Sequence, residues 1–147
     1  MGVEIRMATT ADLPQLLALF AELQPDDPPI DNSLAETVFE KAVKNGVRYF
    51  VAVDERRIVG SCFIAIIPNL TRRCSSIGFI ENVVTATEYR RRGIGRILLN
   101  AATQYAKQQG CYKVALQSGV KRTDAHKFYE SVGFDGDSKR AFEIRFE

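Results

Sequence analysis

The sequence has no tryptophan, one histidine and three cysteines, and each scarcity excludes a class of site. A single histidine, His126, is too few for a histidine-rich metal cluster. Cys62, Cys74 and Cys111 are far apart and form no CxxC pair. We therefore expect no bound metal and no disulfide framework, because scattered thiols of this kind are typical of a cytoplasmic protein.

A long apolar run and a strong net charge are also missing. The first ten residues, MGVEIRMATT, lack the apolar core of a secretion signal, and no stretch approaches the length of a membrane span. The formal net charge is only +2, so a basic site must be local rather than a property of the whole surface. These absences argue against a membrane or nucleic-acid partner.

The residues that are present predict one folded domain over 1–147. Hydrophobic residues make up 46% of the chain and charged residues 26%, as in an ordinary globular protein. Alternating and helical spacings follow one another in the order β-α-α-β-β-β-α-β-α-β. This order predicts an α/β (or α+β) fold in which helices pack on a mixed sheet.

Apolar spacing, glycine and proline set the predicted boundaries. Gly78 is the expected position of a bulge in the fourth strand. The last strand, AFEIRF, is predicted from its alternation. Strands are predicted over 3–8, 47–54, 57–68, 76–85, 112–117 and 141–146, and helices over 11–24, 34–45, 93–109 and 123–132.

The stretch EYRRRGIGRILL (88–99) passes from an apolar strand through a turn into a helix. A helix N-terminus presents unpaired N–H groups, and glycine there lets a phosphate approach the backbone. Arg96 and Ile97 after Gly95 exclude a Walker loop, and Leu98 replaces the third glycine of a dinucleotide fingerprint. A diphosphate is the expected ligand. A solvated basic corner is the alternative, and nucleic acid is disfavoured because no aromatic residues interleave with the arginines.

The R-x-x-G-x-G pattern of this turn resembles the pyrophosphate-binding turn of the GNAT superfamily of acetyl-CoA-dependent N-acyltransferases. The segments FIENVV, CYKVALQ and AHKFYESVGF follow the family's order and spacing, so the resemblance covers nearly the whole chain. It implies that acetyl-CoA is the cofactor. The residues that it assigns to acetyl-CoA are Val83, Val84 and Thr85 for the pantetheine arm, and Arg90, Arg91, Arg92, Gly93, Ile94, Gly95 and Arg96 for the pyrophosphate.

Glu81 is the candidate general base. An amine with a pKa near 10.4 is protonated at pH 7, so attack on a thioester needs a group that takes a proton. Glu81 lies in an otherwise apolar strand, where desolvation would raise the pKa of a carboxylate, and the resemblance implies a base at this position. Asn82 is expected to face the other way. A purely structural carboxylate is the alternative for Glu81.

Tyr129 is the candidate general acid. Ala125, Phe128 and Tyr129 share one face of a predicted helix, so the tyrosine is expected to point inward. The resemblance implies a tyrosine four residues before the GF pair that protonates the departing thiolate. A tyrosine near pKa 10 is a weaker acid than a thiol near 8.5, so this role requires that the site lower the tyrosine pKa. An ordinary core tyrosine is the alternative.

Two loops are implied to line the acceptor site, and their charges differ. Asp26 and Asp27 in the first loop suit a cationic acceptor, whereas Arg72 and Arg73 in the second suit an anion. An amine that also carries an anionic group would use both loops.

Two further residues depart from the family pattern or are ambiguous. Arg122 stands where many members have a pantetheine-binding asparagine, so we assign it to the cofactor or to an anionic acceptor. His126 is assigned to the acceptor site, with a partly exposed helix histidine as the alternative.

The segment VKRTDAHKFYESVGF is most similar to aminoalkylphosphonate N-acetyltransferases, and GCYKVALQ is similar to glucosamine 6-phosphate N-acetyltransferases. Both imply a small molecule that carries a primary amine and an anionic phosphorus group. A protein acetyltransferase and a non-catalytic acyl-CoA-binding domain stay open as alternatives. Family members are often dimers, so a homodimer also stays open.

Overall fold

Five strands form one sheet and lie side by side in chain order. The structure, a computed structural model, describes residues 2–146. The first four strands are antiparallel neighbours, whereas the fifth runs parallel to the fourth. This mixed, mostly antiparallel sheet confirms the predicted fold class. The strands are β1 (Val3–Met7), β2 (Val47–Asp54), β3 (Arg57–Ile67), β4 (Ser76–Thr85) and β5 (Cys111–Leu116).

The four predicted helices occur in the predicted order, and their ends lie within two residues of the predicted ones, whereas the single turn α3 falls in a segment expected to be a loop. The first helix begins late because a 3-10 turn, Thr10–Asp12, precedes it. Within residues 2–146, no helix combines the length and the apolar character needed to cross a bilayer. The helices are α1 (Leu13–Leu23), α2 (Asn32–Lys44), the single turn α3 (Thr71–Cys74), α4 (Ile94–Gln108) and α5 (Thr123–Val132).

Aromatic contacts identify the helices that cover each face of the sheet. On one face, the ring centre of Tyr49 lies 6.5 Å from that of Phe20 in α1 and 5.6 Å from that of Phe39 in α2. The next residue, Phe50, lies 5.8 Å from Tyr105 of α4. Because successive strand residues point to opposite faces, α1 and α2 cover one side and α4 covers the other.

Gly78 does not form the predicted bulge. It pairs regularly with Ile66 of β3 and Val114 of β5. A Cβ at this position would lie 3.1–3.3 Å from the side chains of Ile64, Ala106 and Val114. Glycine is needed here because α4 packs closely on the sheet, and the bulge of β4 lies four residues further along.

Residues 141–146, predicted as a sixth strand, form no strand in the structure. Phe142, Ile144 and Phe146 are 82–91% exposed. Alternation specifies only which residues share a face. A strand also needs a neighbour that exchanges backbone hydrogen bonds with it, and the sheet of the described chain ends at β5. The prediction of a sixth strand is therefore wrong for the single chain.

An ion pair joins β1 to the start of the first helix. Both terminal nitrogens of Arg6 donate to the Asp12 carboxylate, at 2.7 and 2.9 Å, and the Thr9 N–H donates to it at 2.8 Å. The hydrogen bonds from Arg6 hold the pKa of Asp12 below its usual value, although burial opposes them. The Asp12 side chain is 9% exposed and that of Arg6 is 39% exposed.

We predict that Asp12→Asn lowers the free energy of unfolding by about 1–2 kcal/mol at pH 7, because a partly buried charged hydrogen bond is lost. Since the folded-state pKa of Asp12 is depressed, this stabilisation is present above the unfolded pKa of about 4 and is lost as the pH falls through the folded value. Urea unfolding at several pH values should show the difference shrinking in acid. Glu88→Gln is the matched control, because Glu88 accepts the same paired bonds from Arg57 at an exposed site. An equal loss in the control would contradict the explanation.

Candidate active site

A bulge interrupts the middle of β4. The pairing of β3 with β4 shifts between the pairs Ser61–Val84 and Phe63–Glu81, so that one residue of β3 faces two of β4. Asn82, one of these two, has a φ of +54°. Such a left-handed residue is typical of a bulge, which bends the strand and increases its twist.

The strands β4 and β5 separate where this bulge begins. Their parallel pairing ends with Ile80 opposite Leu116, yet β4 continues to Thr85. We call the space between β4 residues 81–85 and the chain that follows Leu116 the interstrand gap. Backbone groups of β4 that would otherwise bind a neighbouring strand face this gap.

The alternation of the backbone decides which amides point into the interstrand gap. The Ala86 N–H donates to the Val59 carbonyl of β3 at 2.8 Å. The amides of Thr85 and Val83 therefore point away from β3 and into the gap. Val84 lies in the core, with 5% of its surface exposed. Thus Val83 and Thr85 present the free amides of this segment, and Val84 supports them by packing.

Glu81 projects toward α1 and α2. It lies opposite Phe63 in the sheet, and directly opposed residues project to the same face. Phe63 packs on Tyr49, with 5.2 Å between ring centres, on the face that α1 and α2 cover. Asn82 lines the cleft between these two helices, so the expectation that it faces away from Glu81 is wrong. The left-handed residue at the bulge breaks the regular alternation on which that expectation depended.

The cleft between α1 and α2 has a volume of about 260 Å³ and is lined almost wholly by apolar side chains. Ile30, from the loop between the two helices, contributes to its wall. Asp26 and Asp27 of the same loop are exposed to solvent. The loop thus borders the side of the sheet from which Glu81 projects.

Tyr129 brings α5 into the neighbourhood of Glu81. The side chain of Tyr129 is buried and packs against the rings of Phe128 and Phe134. Burial raises the pKa of Tyr129, the positive charge of Arg122 opposes the rise, and the negative charge of Glu81 adds to it. These three groups therefore share one electrostatic neighbourhood. The pKa of Tyr129 rises because a buried phenolate loses its hydration. The acid role requires the opposite, a lowered pKa.

Cys62 also contributes to this neighbourhood. Its thiol is fully buried, and burial raises the pKa of Cys62 to about 12. A thiol with such a pKa is protonated at neutral pH and is a poor nucleophile. Cys62 is therefore unsuited to the role of nucleophile.

The glycine turn (residues 90–95) connects β4 to the N-terminus of α4. Gly93 precedes the helix with a φ of +82°, and no atom lies within 4 Å of a Cβ built on it. The first amides of α4 have no partner within the helix and carry partial positive charge. This open helix end has the shape and the charge that a phosphate requires.

Gly95 has a different role, which is to let α5 pack on α4. A Cβ on Gly95 would lie 3.0 Å from the Phe128 ring of α5. Arg96 donates to the carbonyl and the hydroxyl of Ser131, at 3.3 and 3.1 Å. Both contacts hold α5, and with it Tyr129, against the start of α4. The sequence suggested that both Gly93 and Gly95 allow a phosphate to approach the backbone. Only Gly93 needs that explanation, because the packing of Phe128 accounts for Gly95.

The other residues of the turn have distinct surroundings. The Nε of Arg90 donates to a β4 carbonyl at 3.3 Å, and the Arg92 guanidinium lies 4.9 Å from the centre of a tyrosine ring. Arg91 has a φ of +63° and is exposed. The Ile94 side chain is 1% exposed and belongs to the core, so only its backbone can bind a ligand.

One buried hydroxyl beside the interstrand gap lacks a partner. Ser118, two residues after β5, has a buried Oγ with no hydrogen-bond partner among residues 2–146. Sequence reasoning missed Ser118 because a serine in a loop carries no signal of burial. Together with the amides of Val83 and Thr85 and the open Gly93, it fits acetyl-CoA, which combines a diphosphate with an amide-bearing arm.

Arg72 and Arg73 lie away from Glu81. They belong to α3, with φ values of +53° and +59°, and Arg72 lies 5.5 Å from the ring centre of Tyr112 at the start of β5. About 16 Å of strand separates Ser76, where β4 begins, from Glu81. The structure therefore does not bring these two arginines to the carboxylate.

Arg122 and His126 lie at the start of α5: Arg122 immediately precedes the helix, and His126 is in its first turn. The Nε2 of His126 donates to the Gly119 carbonyl at 2.7 Å, since a carbonyl oxygen only accepts, and this bond ties α5 to the loop after β5. Arg122 immediately precedes α5 and is near enough to Tyr129 to oppose the rise of its pKa. Arg122 is therefore the basic residue that the fold brings to Tyr129.

Comparisons with known proteins agree with this geometry. Residues 15–134 match the model of the acetyltransferase (GNAT) family. The chain is 32% identical over 134 residues to glucosamine 6-phosphate N-acetyltransferase of Trypanosoma brucei brucei. This match covers 90% of this chain and 88% of that protein. It is also 30% identical over 136 residues to aminoalkylphosphonate N-acetyltransferase of Salmonella typhimurium. This second match covers 89% of this chain and 84% of that protein.

A solved structure is similar over nearly the whole length. A putative acetyltransferase from Agrobacterium tumefaciens superimposes with a TM-score of 0.92 and 40% identity, and the match covers 97% of this chain and 99% of that chain. The chain therefore belongs to the GNAT family and is an acetyl-CoA-dependent acetyltransferase.

Proposed function

We propose that the protein acetylates the primary amine of a small molecule that carries a phosphate or phosphonate group, with Glu81 as base and Tyr129 as acid. The observation that carries this proposal is the interstrand gap. The gap extends along five residues of β4, from Glu81 to Thr85, and the glycine turn that ends at the open Gly93 follows this strand in the chain.

The proposed cofactor site uses backbone groups more than side chains. Acetyl-CoA, when bound, supplies an acetyl group activated as a thioester. The residues proposed to hold it are Gly93 and Ile94 through the helix-end amides, Val83 and Thr85 through strand amides, Ser118 through its hydroxyl, and Arg90, Arg91 and Arg92 through their charge.

Glu81 is proposed to take a proton from the incoming amine, directly or through a water molecule. Keeping an amine with a pKa near 10.4 neutral at pH 7 costs about 4.6 kcal/mol, and a positioned carboxylate offsets part of this cost. The half-buried position of Glu81, beside the acceptor loop and the gap, supports this role.

Tyr129 is proposed to hold a proton at its Oη where the departing sulfur needs one. Because burial raises the pKa of Tyr129, the hydroxyl stays protonated across the physiological range. Full transfer to a thiolate is uphill, since a thiol has a pKa near 8.5. Tyr129 therefore acts first as a hydrogen-bond donor, and Arg122 lowers the cost of any negative charge that develops on the phenol.

The acceptor class is supported by two relatives and by the position of Arg122. The names of the two relatives indicate acceptors that combine an amine with an anionic phosphorus group. Arg122 lies in the neighbourhood of Tyr129 and offers the paired N–H groups that suit a phosphate or phosphonate. Asp26 and Asp27, exposed in the acceptor loop, would attract the protonated amine before it binds.

Gly93→Val should weaken coenzyme A binding at least tenfold, because the new side chain occupies the open position at the helix end. Gly110→Val is the matched control: Gly110 has a φ of +80°, and no atom lies within 4 Å of its added Cβ. Both variants pay a similar backbone strain, so calorimetric titration with coenzyme A separates strain from contact. Unchanged affinity in Gly93→Val, or an equal loss in both variants, would contradict the diphosphate assignment.

Glu81→Gln and Tyr129→Phe should each lower kcat about a hundredfold or more while the KM for acetyl-CoA changes little, because each removes a proton-transfer group. Glu4→Gln, on β1, and Tyr105→Phe, at a half-buried position of α4, are the controls and should keep wild-type kcat. Steady-state thiol release with an accepted amine measures all four. Full kcat in Tyr129→Phe would remove the acid assignment, and full kcat in Glu81→Gln would remove the base.

An amine panel tests the acceptor class. We expect kcat/KM to be at least tenfold higher for glucosamine 6-phosphate than for glucosamine, and for an aminoalkylphosphonate than for the corresponding alkylamine. Arg122→Gln should reduce this preference, whereas Lys121→Gln, at the exposed neighbouring residue, should keep it. Best activity on peptides would favour a protein acetyltransferase. Binding of acetyl-CoA without turnover on any amine would favour a non-catalytic domain.

A further inference from the structure

The cleft between α1 and α2 leaves a contiguous set of apolar side chains exposed. Ten of the eleven residues that line it are apolar or aromatic, and its volume is about 260 Å³. Leu34 and Val38, four residues apart on α2, are 53% and 55% exposed, and Ile30 before the helix is 51% exposed. Single exposed apolar residues are common on protein surfaces, whereas a contiguous set marks an interaction site. We call these three side chains the open wall of the cleft.

The side of the cleft that lies on the sheet carries two polar side chains, Tyr49 of β2 and Asn82 of β4. Within residues 2–146, neither side chain forms a hydrogen bond with another residue, and burial alone raises the pKa of Tyr49. An apolar pocket with a few free polar groups has the usual composition of a small-molecule site. The cleft therefore has the character of a ligand site and not only of a gap between packed helices.

The cleft lies beside the proposed base. Asn82 follows Glu81 directly in β4. Phe63, which is opposite Glu81 in the sheet, has its ring centre 5.2 Å from that of Tyr49 in the cleft. Glu81 therefore projects to the face of the sheet on which the cleft lies. When an amine is held at Glu81, a group bonded to the carbon that carries this amine can extend into the cleft.

We propose that the cleft binds an apolar side group of the acceptor, bonded to the carbon that carries the amine. This inference rests on the proposed function, because it places the amine at Glu81. It narrows the acceptor class to amines that carry both an anionic phosphorus group and an aromatic or branched alkyl group. The phosphorus group is left for Arg122, which does not line the cleft, and the apolar group replaces water on the open wall.

An aromatic side group matches the size and the surface of the cleft. A cavity of about 150 Å³ lined by leucine, isoleucine and phenylalanine binds benzene, and this cleft is larger. The ring centres of Phe20 and Phe39 lie 6.5 and 5.6 Å from that of Tyr49, so a bound ring would meet other aromatic rings. Each methylene group that enters an apolar site improves affinity about fourfold. A phenyl group should therefore improve it at least tenfold, even with half of the ring left in water at the open wall.

The first test compares two aminophosphonates that differ only in the side group. They are the analogues of phenylalanine and alanine in which a phosphonate replaces the carboxylate. Thiol release with acetyl-CoA should give a kcat/KM at least tenfold higher for the phenylalanine analogue. Phenylethylamine and ethylamine, which lack the phosphonate, should show the same preference for the phenyl group at lower rates. The side-group ratio tests this inference, whereas the ratio between amines with and without the phosphonate tests the proposed function, so the two can fail separately.

The second test removes the open wall. Leu34→Ser together with Val38→Ser should lower the side-group ratio at least fivefold, because two apolar contacts are lost. General damage to the enzyme cancels in this ratio, since both substrates share the amine and the phosphonate. The matched control is Glu40→Ser together with Lys41→Ser, which changes two exposed residues of the same helix outside the cleft and leaves the net charge unchanged. This control should keep the wild-type ratio.

Three results would overturn the proposal. The first is an equal kcat/KM for the two aminophosphonates in the wild type, and the second is an unchanged ratio in the variant of the open wall. The third concerns the occupant: if light scattering shows that this variant lowers the mass of the particle in solution, another copy of the chain covers the cleft. A wild-type preference that the variant reduces without a change of mass supports the proposal.

Discussion

The loss of pairing between β4 and β5 beyond Ile80 is the constraint on which the site depends. A regular sheet would satisfy the backbone of residues 81–85 with another strand, and no ligand would then have access to it. The bulge at Asn82 bends β4, and the separation frees amides without exposing the core beneath them. The amides proposed to bind the cofactor and the proposed base therefore lie along the one stretch of β4 that lacks a neighbouring strand.

Much of the fold follows from local sequence signals. Apolar spacing, glycine and proline act over short distances, and they predict the five strands and every helix except the single turn α3. The glycine turn is predicted for the same reason, since strand, turn and helix are contiguous. The prediction of a strand over residues 141–146 is wrong because the alternation of this segment carries no information about which edge receives it. Pairing is a tertiary property, and in the single chain no edge is paired with this segment.

Among the site residues, too, some follow from local sequence signals and others only from the tertiary structure. Glu81 and Tyr129 are proposed from local pattern and family resemblance, and their common neighbourhood agrees with that proposal. Ser118 was missed because an unsatisfied hydroxyl is visible only when its surroundings are known. The rise in the pKa of Tyr129 was likewise not foreseen, since it arises from the burial of its side chain in the folded chain. The positions of Arg72 and Arg73 depend on the left-handed turn of α3, which three non-glycine residues adopt against their usual preference.

The contact between Gly95 and Phe128 has a consequence for how such a sequence can diverge. The start of α4 and the middle of α5 are separated by more than thirty residues, yet the space left by one missing Cβ is filled by one aromatic ring. A methyl group at position 95 would require a smaller ring or a shifted helix at position 128, and a shifted helix would move Tyr129. A larger residue at position 95 is therefore tolerated only together with a change at position 128. The position of Tyr129, the proposed proton donor, thus depends on the small size of Gly95 in the glycine turn.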